Sequence, residues 1–383
     1  MDNDGDQDLF FSISSPNINR FYRNEGRLAF SEILDSNACG LPIPSVGASW
    51  GDLNNDGYLD LFVASSGGFR PNYLLMNDQK GGFLHMADGD IAKTRDDSHA
   101  CCLADFDNDA DLDIFYVNQG QRNCLFWNLG DAKFLRETKG ALVNQAARGR
   151  GTCAADVNND GFVDIFVSNS GQKNVLYYNN GNENNWLKVK LIGTLSNRSA
   201  IGATIRLQIN KQGKSIWQMR HVASQTSSRG QNSFTQHFGC SRAQFVDSLR
   251  VEWPSGIVQT LNHIQVNQLL TIVEENNFGC DAEGFTVRII EDSTDQSEHL
   301  GKALRYGLKN AKINVNPKAE ETDYLLKIQS QDIGNLIDYH FDIICRKNGS
   351  RKQFSGLIKK SNLSDNGQRL AQDIKNRIQG AHE

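Results

Sequence analysis

The chain has 383 residues, of which 39% are hydrophobic and 22% are charged, and its formal net charge at pH 7 is −5. This length is sufficient for two or three domains with buried cores. No basic stripe with interleaved aromatic residues is present, which argues against nucleic-acid binding. No apolar run approaches the length of a transmembrane segment. The composition therefore favours a multidomain protein that neither binds nucleic acid nor spans a membrane.

A short acidic motif followed by an apolar strand occurs four times, at residues 2–8, 52–60, 105–113 and 156–164. Oxygen side chains recur at motif positions 1, 3, 5 and 9, and the backbone carbonyl of position 7 can add another ligand. Calcium takes roughly six to eight oxygen ligands, and glycine at position 6 permits the sharp turn. The sequence therefore predicts bound Ca²⁺. The candidate ligands are Asp2, Asp4, Asp6, Asp8, Asp52, Asn54, Asp56, Tyr58, Asp60, Asp105, Asp107, Asp109, Asp111, Asp113, Asp156, Asn158, Asp160, Phe162 and Asp164.

The motif has two other possible interpretations. An EF-hand requires flanking helices and a glutamate at position 12, but position 12 is Val63 or Val167 and the flanks have strand patterns. Ordinary hairpin turns also favour Asp, Asn and Gly. However, carboxylates a few Å apart repel by up to roughly 4 kcal/mol per close pair, so four bare turns are not expected to concentrate them.

The copies differ at their ends and at position 6. The third copy has an additional acidic candidate, but Ala110 replaces the loop glycine, and a left-handed alanine costs about 1–2 kcal/mol. The first copy matches only from position 3, because its position 1 would precede Met1. We therefore expect the chain to begin inside a motif.

A second pattern follows each acidic motif. Segments flanked by two asparagines occur at residues 19–24, 72–77, 123–128 and 174–179. An aromatic residue comes after each segment, and these residues are Phe30, Phe83, Phe134 and Trp186. Each unit thus contains four predicted strands in a period of about fifty residues, which is typical of a β-propeller blade.

These repeats resemble the FG-GAP or VCBS-type repeats of integrin-like calcium propellers, over residues 1 to about 185. Segments 197–203, 231–233, 237–239 and 246–256 resemble the ASPIC/UnbV domain. The order of the two parts is similar to that of cartilage-acidic-protein-like secreted proteins. Such propellers have about seven blades, so four repeats leave the ring open. We expect a missing upstream part that includes a signal peptide; the alternative is a four-bladed propeller completed by another chain.

Residues 186–275 contain short predicted strands separated by turns, which indicates a small β-sandwich. Its candidate functional residues are Arg198, Gln231, His237 and Asp247, although hydrogen bonds between loops and the sandwich explain them more simply. The eight cysteines have no zinc-binding spacing. A Cys240–Cys280 disulfide is one open pairing.

Residues 281–383 have a mixed pattern. The sequence predicts a strand at 285–290, a helix capped by Ser297, three further strands and a last helix that carries Leu370, Ile374 and Ile378. The predicted class is therefore mainly β: a partial propeller of FG-GAP-type blades (1–185), a β-sandwich (186–275) and an α+β domain of unknown role (281–383).

Two classes of function remain open. The favoured one is a non-enzymatic extracellular or cell-envelope protein that binds a protein or glycan, with calcium in a structural role. The repeats offer no general acid and base in different environments, because each recurrent carboxylate is already a metal-ligand candidate. The alternative is an enzyme or an accessory protein of secondary-metabolite biosynthesis, with a site on the propeller face. A nonrepeating ionisable cluster at the propeller axis would favour the alternative.

Overall fold

The computed structural model describes residues 2–275, except residues 4, 15–17, 27–28 and 34–43, together with the backbone of five strands between residues 286 and 359. The chain divides into two compact units, residues 1–274 and 275–383. Strands and turns make up nearly all of the described residues, which confirms the mainly β class. Among the described residues, no helix has the length and apolar character needed to cross a membrane.

The repeats form four antiparallel groups of strands, which we call blades one to four. Blade one contains β1 (Leu9–Phe11), β2 (Arg20–Asn24) and β3 (Phe30–Glu32). Blade two contains β4 (Ser45–Gly51), β5 (Asp60–Ser65), β7 (Tyr73–Asn77) and β8 (Phe83–His85), and the short strand β6 (Arg70–Pro71) precedes β7. The next segment contains the one-turn helix α1 (Asp90–Lys93) and β9 (Arg95–Asp96), which pairs with β6.

Blade three contains β10 (Ser98–Ala104), β11 (Asp113–Arg122), β12 (Cys124–Asn128) and β13 (Phe134–Arg136). The one-turn helix α2 (Ala141–Asn144) leads to blade four, which contains β14 (Ala146–Ala155), β15 (Asp164–Asn169) and β16 (Val175–Tyr177). The far ends of β11 and β14 also pair, which joins these two blades into one sheet. We call β4, β10 and β14 the inner strands.

The blades pack face to face, so the second strand of a middle blade is buried on both sides. Phe62 of β5 stacks on Tyr116 of β11, with ring centroids 5.6 Å apart. Leu61 and Val63 point the other way and pack with Phe21 of blade one. This two-sided burial explains why these strands are continuous apolar runs in the sequence.

Blade four differs because one of its faces is not covered by another described sheet. Phe166 occupies the place of Phe62 and Phe115, but it is 38% exposed whereas the other two are fully buried. Leu176 is likewise 37% exposed, whereas Leu125 at the same place in blade three is 3% exposed.

Trp186 does not complete the fourth repeat, as the aromatic pattern predicts, but lies in the sandwich, as the strand pattern of residues 186–275 predicts. It is the second residue of strand β17 (Asn185–Ile192), which is parallel to β23 (Gln268–Val273) and antiparallel to β20 (Gln236–Ser241). Blade four therefore has three described strands. The parallel pairing aligns six residues of β17 with β23, so β17 forms more backbone hydrogen bonds there than a three-residue edge strand could provide.

Two sheets face each other in residues 185–273 and form the predicted β-sandwich. One sheet has the order β20-β17-β23. The other has the order β19-β18-β21-β22, with β18 (Thr204–Lys211), β19 (Lys214–His221), β21 (Phe245–Glu252) and β22 (Val258–Gln265). Their shared core includes Val189, Leu207, Phe238 and Val251. Within it, Cys240 is a buried free thiol, and its candidate partner Cys280 lies outside the described residues.

The second unit contains one sheet with the strand order β25-β24-β26-β27-β28. The strands are β24 (Thr286–Glu291), β25 (Asn314–Val315), β26 (Tyr324–Ile333), β27 (Leu336–Cys345) and β28 (Arg351–Lys359). β24 is parallel to β25 and β26, and the remaining pairs are antiparallel. The four longer strands overlap the four predicted strands, whereas both predicted helices lie outside the described residues.

Candidate metal-binding loops

The acidic loops share one backbone conformation, with positive φ at positions 4 and 6. In the second loop, φ is 57° at Asn55 and 86° at Gly57. In the third loop, φ is 58° at Asn108 and 85° at Ala110. Ala110 thus adopts the left-handed conformation predicted for this position, and its side chain is fully buried. The turn is the same in all copies, and only the third copy forms it with an alanine.

The carboxylate at position 1 holds the turn by accepting two backbone N–H groups. Asp52 accepts the amide of Asp56 at 3.1 Å and the amide of Gly57 at 3.0 Å. Asp105 and Asp156 accept the amides at the same positions of their own loops. The position 1 oxygens therefore lie inside the turn, which is where the sequence pattern places a metal ligand.

The carboxylate at position 9 connects the loop to the end of the asparagine-flanked strand. Asp60 accepts the amide of Leu53 at 2.9 Å and the amide of Asn77 at 2.8 Å, one on each oxygen. Asp113 and Asp164 make the same two bonds in their blades. These hydrogen bonds give position 9 a structural role that does not depend on a metal.

The third loop brings three carboxylates together, because ligand oxygens of Asp105, Asp107 and Asp109 all lie within 4.8 Å of one another. Burial, followed by repulsion from Asp109, raises the pKa of the Asp105 carboxyl well above its ordinary value. Burial and repulsion from Asp107 raise the pKa of Asp109 to about 6, and burial raises the pKa of Asp107. A divalent cation would offset both effects, and the donor set is all oxygen, so these residues fit Ca²⁺.

The second and fourth loops have asparagine at position 3 and therefore one carboxylate fewer. Asn54 donates to Asp56 Oδ2 at 2.9 Å, and Asn158 donates to Asp160 Oδ2 at 2.7 Å. Burial is also the main reason that the pKa of Asp52 is raised to about 7. These loops keep the geometry of the third loop with a weaker negative field.

The first loop is described only in part, and the candidate ligand Asp4 lies outside the described residues. Asp2 forms an ion pair with Arg23 at 3.4 Å, and Asp8 accepts the amide of Asn24 at 3.0 Å. Asp6 is half-buried. Asp8 therefore makes the same connection as the other position 9 residues.

At position 7, the predicted ligand is the carbonyl, and the amides of these residues bond within the loop. The Tyr58 amide donates to Asp56 at 2.9 Å, and the Phe162 amide donates to Asp160 at 2.9 Å. The side chain of Asp111 instead accepts hydrogen bonds from Asn55 at 2.7 Å and Lys211 at 2.8 Å. Its carboxylate thus serves contacts outside its own loop.

Basic residues of the sandwich contact the loops, and the sequence analysis did not identify them. Arg206 donates to the carbonyl of Gly57 at 3.2 Å. Lys211 lies 2.8 Å from Asp111, and Lys188 lies 2.6 Å from the buried Asp156. The sandwich therefore covers the acidic end of the blades with compensating positive charge.

The asparagines at position 4 link neighbouring loops, which was also missed. Asn3 donates to the carbonyl of Gly57 at 2.9 Å, Asn55 donates to that of Ala110 at 3.2 Å, and Asn108 donates to that of Gly161 at 3.1 Å. Each acceptor is position 6 of the next loop. The recurrence of asparagine at position 4 in all four copies was a readable signal of this contact.

The segment between β19 and β20 crosses the inner strands. Thr226 accepts the Ser49 hydroxyl at 2.6 Å, Ser227 accepts the Cys101 amide at 3.1 Å, and Asn232 accepts the Ala154 amide at 2.9 Å. Backbone, hydroxyl and amide groups make these bonds. They attach the sandwich to blades two, three and four.

The four polar candidates of the sandwich do not come together. His237 bonds the carbonyl of Gly161 at 3.0 Å, which connects β20 to the fourth loop. Arg198, Gln231 and Asp247 are exposed. This arrangement agrees with the simpler interpretation for His237, in which a polar side chain joins a loop to the sandwich.

Comparisons with known proteins agree with the two-part organisation. An FG-GAP-like repeat model matches residues 1–63, 52–116 and 105–167, and an ASPIC and UnbV model matches residues 193–278. Cartilage acidic protein 1 of Mus musculus is 27% identical over 273 residues, which cover 67% of this chain and 41% of that protein. The Xenopus tropicalis protein is 25% identical over 307 residues, which cover 73% and 46%. The chain thus spans less than half the length of these relatives.

Solved structures are similar to the chain only at a low level. The six-bladed β-propeller lectin of Aleuria aurantia has a TM-score of 0.23 and 12% identity, with 81% of this chain and 91% of that chain covered. PelC of Paraburkholderia phytofirmans has a TM-score of 0.21 and 14% identity, with 26% and 90% covered. The strand pairing of this chain defines its architecture.

Proposed function

We propose that this chain, which combines FG-GAP-like repeats with an ASPIC and UnbV domain, is an interaction module whose acidic loops are stabilised by structural Ca²⁺. The convergence of Asp105, Asp107 and Asp109 within 4.8 Å carries this proposal. Bound calcium supplies positive charge to carboxylates that burial and repulsion otherwise disfavour. The loop carboxylates then hold the two strands of each hairpin together at the acidic loop.

The loops are expected to differ in affinity. The third loop has three acidic ligands, whereas the second and fourth have two and an asparagine. In the fourth loop the Lys188 ammonium already lies 2.6 Å from Asp156 and offsets part of its charge. Fewer charged ligands give weaker calcium sites, so we expect the affinity to decrease from the third loop to the second and then to the fourth.

Calcium-binding loops that serve a structural role fit an extracellular or cell-envelope location for the protein. Calcium sites of extracellular modules have dissociation constants of about 10⁻⁴–10⁻³ M, which suit a medium rich in calcium. Similarity to cartilage acidic protein 1 is compatible with such a location. We propose that the partner is a protein or a glycan, and that it binds away from the acidic loops, because the sandwich covers them.

The proposal can be tested by titrating chelator-treated protein with Ca²⁺ in a calorimeter while the melting temperature is measured in parallel. We expect saturable binding and a rise in melting temperature. The Asp105→Asn variant should lose the tightest site, because it removes a buried ligand at position 1. Asp88→Asn, which changes an exposed acid outside the loops, is the matched control. Unchanged binding by Asp105→Asn would contradict the assignment.

A further inference from the structure

The end of the blades opposite the acidic loops carries exposed basic side chains. Each inner strand begins at this end and each second strand finishes there, because the two strands are antiparallel and the acidic loop joins them at the other end. Five exposed basic residues lie in these strand ends or in the segments that adjoin them. They are Arg70, Arg95, Arg122, Arg148 and Lys173, which together are called the basic end.

Strand pairing and one side-chain bond connect the basic residues of blades two and three. Arg70 and Arg95 lie in the paired strands β6 and β9, where Pro71 is opposite Arg95. The amide of Asp97, two residues after Arg95, donates to Oε1 of Gln121 at 2.7 Å. Gln121 precedes Arg122 in β11. The basic residues of these two blades therefore lie in adjoining segments of the surface at this end.

The same surface continues onto blade four. β11 pairs with β14, so that Gln119 is opposite Arg148 and Arg122 lies nearer the end of the same pair. The amide of Arg148 donates to Oε1 of Gln172 at 2.9 Å, and Gln172 is adjacent to Lys173. The basic end is thus an arc over three blades and not a set of isolated charges.

The five basic residues have no ion-pair partner among the described residues. The nearby acids already have other contacts. Asp96 is buried and accepts the hydroxyl of Tyr116 at 3.0 Å, and Asp97 accepts the amide of Gly67 at 2.8 Å and lies 3.7 Å from His99. The positive charge of this arc is therefore left for a ligand.

Exposed acids do occur at the rim of this end. Asp88 and Asp90 lie at helix α1, in the same segment as Lys93. By contrast, basic residues at the opposite end, such as Lys211 and Lys188, are already paired with loop carboxylates. The two ends of the blades thus differ, because Lys188 and Lys211 are paired with loop carboxylates whereas the basic end presents its charge to solvent.

An aromatic side chain is also exposed on this surface. Phe69 precedes Arg70, has a φ of 44° and is 70% exposed. An exposed aromatic face beside an arginine can stack on the apolar face of a sugar ring while the guanidinium contacts an acidic substituent. This pairing of surfaces favours an acidic glycan over an acidic peptide.

We propose that the basic end binds a linear acidic polysaccharide with sulfate or carboxylate groups along its chain. This inference rests on the proposed interaction function and specifies its ligand class. Arginine forks match the geometry of sulfate and carboxylate groups. A chain with repeated anionic groups gains from several basic residues at once, whereas a single small anion contacts only one or two.

The test measures binding of heparin and of hyaluronate to the full chain in the presence of calcium, by calorimetry at two salt concentrations. We expect binding that weakens as the salt concentration rises. The double variant Arg122→Gln/Arg148→Gln should bind about tenfold more weakly, the loss expected from two charge-assisted contacts. The control variant Lys190→Gln/Lys214→Gln removes two exposed charges of the sandwich and should bind as the parent does.

Binding of heparin alone would identify sulfate as the preferred group, and binding of both would show that sulfate or carboxylate groups on a polysaccharide suffice; either result supports the inference. No binding of either polysaccharide would overturn it, as would equal losses in the two double variants. Equal affinity for poly-L-glutamate or duplex DNA would also overturn it. The calcium-dependent rise in melting temperature is measured in the same samples, so its presence without polysaccharide binding rejects this inference alone.

Discussion

Replacing Asp107 by asparagine would give the third loop the same ligand types at positions 1, 3 and 5 as the second and fourth loops. The oxygens of Asp105, Asp107 and Asp109 lie within 4.8 Å of one another, and Asp107 is half-buried. Two unit charges at this separation repel by about 3 kcal/mol at an effective dielectric constant of about 20. Solvent screening and the nearby Lys211 reduce this repulsion.

We therefore expect Asp107→Asn to raise the unfolding free energy of the calcium-free protein by about 1–2 kcal/mol. The same change should weaken calcium binding at this loop by about tenfold, because a charged ligand becomes neutral. The variant would thus be more stable without calcium and less stabilised by it. Opposite changes in these two quantities distinguish a metal site from an ordinary turn.

The assay is urea denaturation in the presence of a chelator, together with calorimetric titration of Ca²⁺ into chelator-treated protein. Asp88→Asn removes an equal charge from an exposed position outside the loops and serves as the control. The reasoning would be refuted if Asp107→Asn destabilised the calcium-free protein. It would also be refuted if the variant bound calcium as tightly as the parent.

Three further changes test other contacts of the structure. Gly239→Ala would place a Cβ against the carboxylate of Asp105 and 2.5 Å from the backbone of Asn108. Thermal denaturation should therefore show that the free energy of unfolding falls by about 1–3 kcal/mol. Unchanged stability would contradict the close approach of β20 to the loop. Lys188→Met leaves the buried Asp156 without its ion-pair partner and should destabilise the calcium-free protein by about 3–5 kcal/mol. Calcium should then raise the melting temperature of this variant by more than it raises that of the parent. A smaller rise would show that Lys188 does not compete with calcium. Burial alone would raise the pKa of Glu274, but hydrogen bonds from Ser255, Ser196 and the amide of Thr194 outweigh burial and lower the pKa. Glu274→Gln should therefore lower the free energy of unfolding by about 2–3 kcal/mol at pH 7. A carboxyl group with a lowered pKa stabilises the fold at pH values above its ordinary pKa, and this stabilisation is lost on acidification. Urea denaturation should therefore show that the stability difference between the parent and Glu274→Gln shrinks as the pH falls below about 4.5. A stability difference independent of pH would contradict the role of the Glu274 charge.

The sequence predicted the parts of this molecule that repeat. Acidic loops, strands and asparagine-flanked segments recur at a fixed period, and local chemistry determines each of them. The asparagines at position 4 recur equally, but they were missed because their partners lie in the next loop. A pattern within one motif gives no direct information about a contact between two motifs.

Contacts between the sandwich and the loops could not be predicted in this way. Lys211 and Asp111 are 100 residues apart in the sequence, and neither Lys188 nor Arg206 belongs to a repeat. Trp186 fitted two patterns, because an aromatic residue at the right distance from a repeat also suits the first strand of a sandwich. The parallel pairing of its strand with β23, which begins at Leu187, depends on residues about eighty positions later.

The chain of asparagine bonds between loops affects how the protein would respond to a change in calcium concentration. Asn55 and Asn108 each join one loop to the carbonyl of the next, so a loop that becomes ordered fixes a hydrogen-bond partner of its neighbour. Sites coupled in this way share their free energy of ordering, and each bound ion makes the next one easier to bind. The blades would then fill cooperatively, with a Hill coefficient above one, and stiffen within a narrow range of calcium concentration.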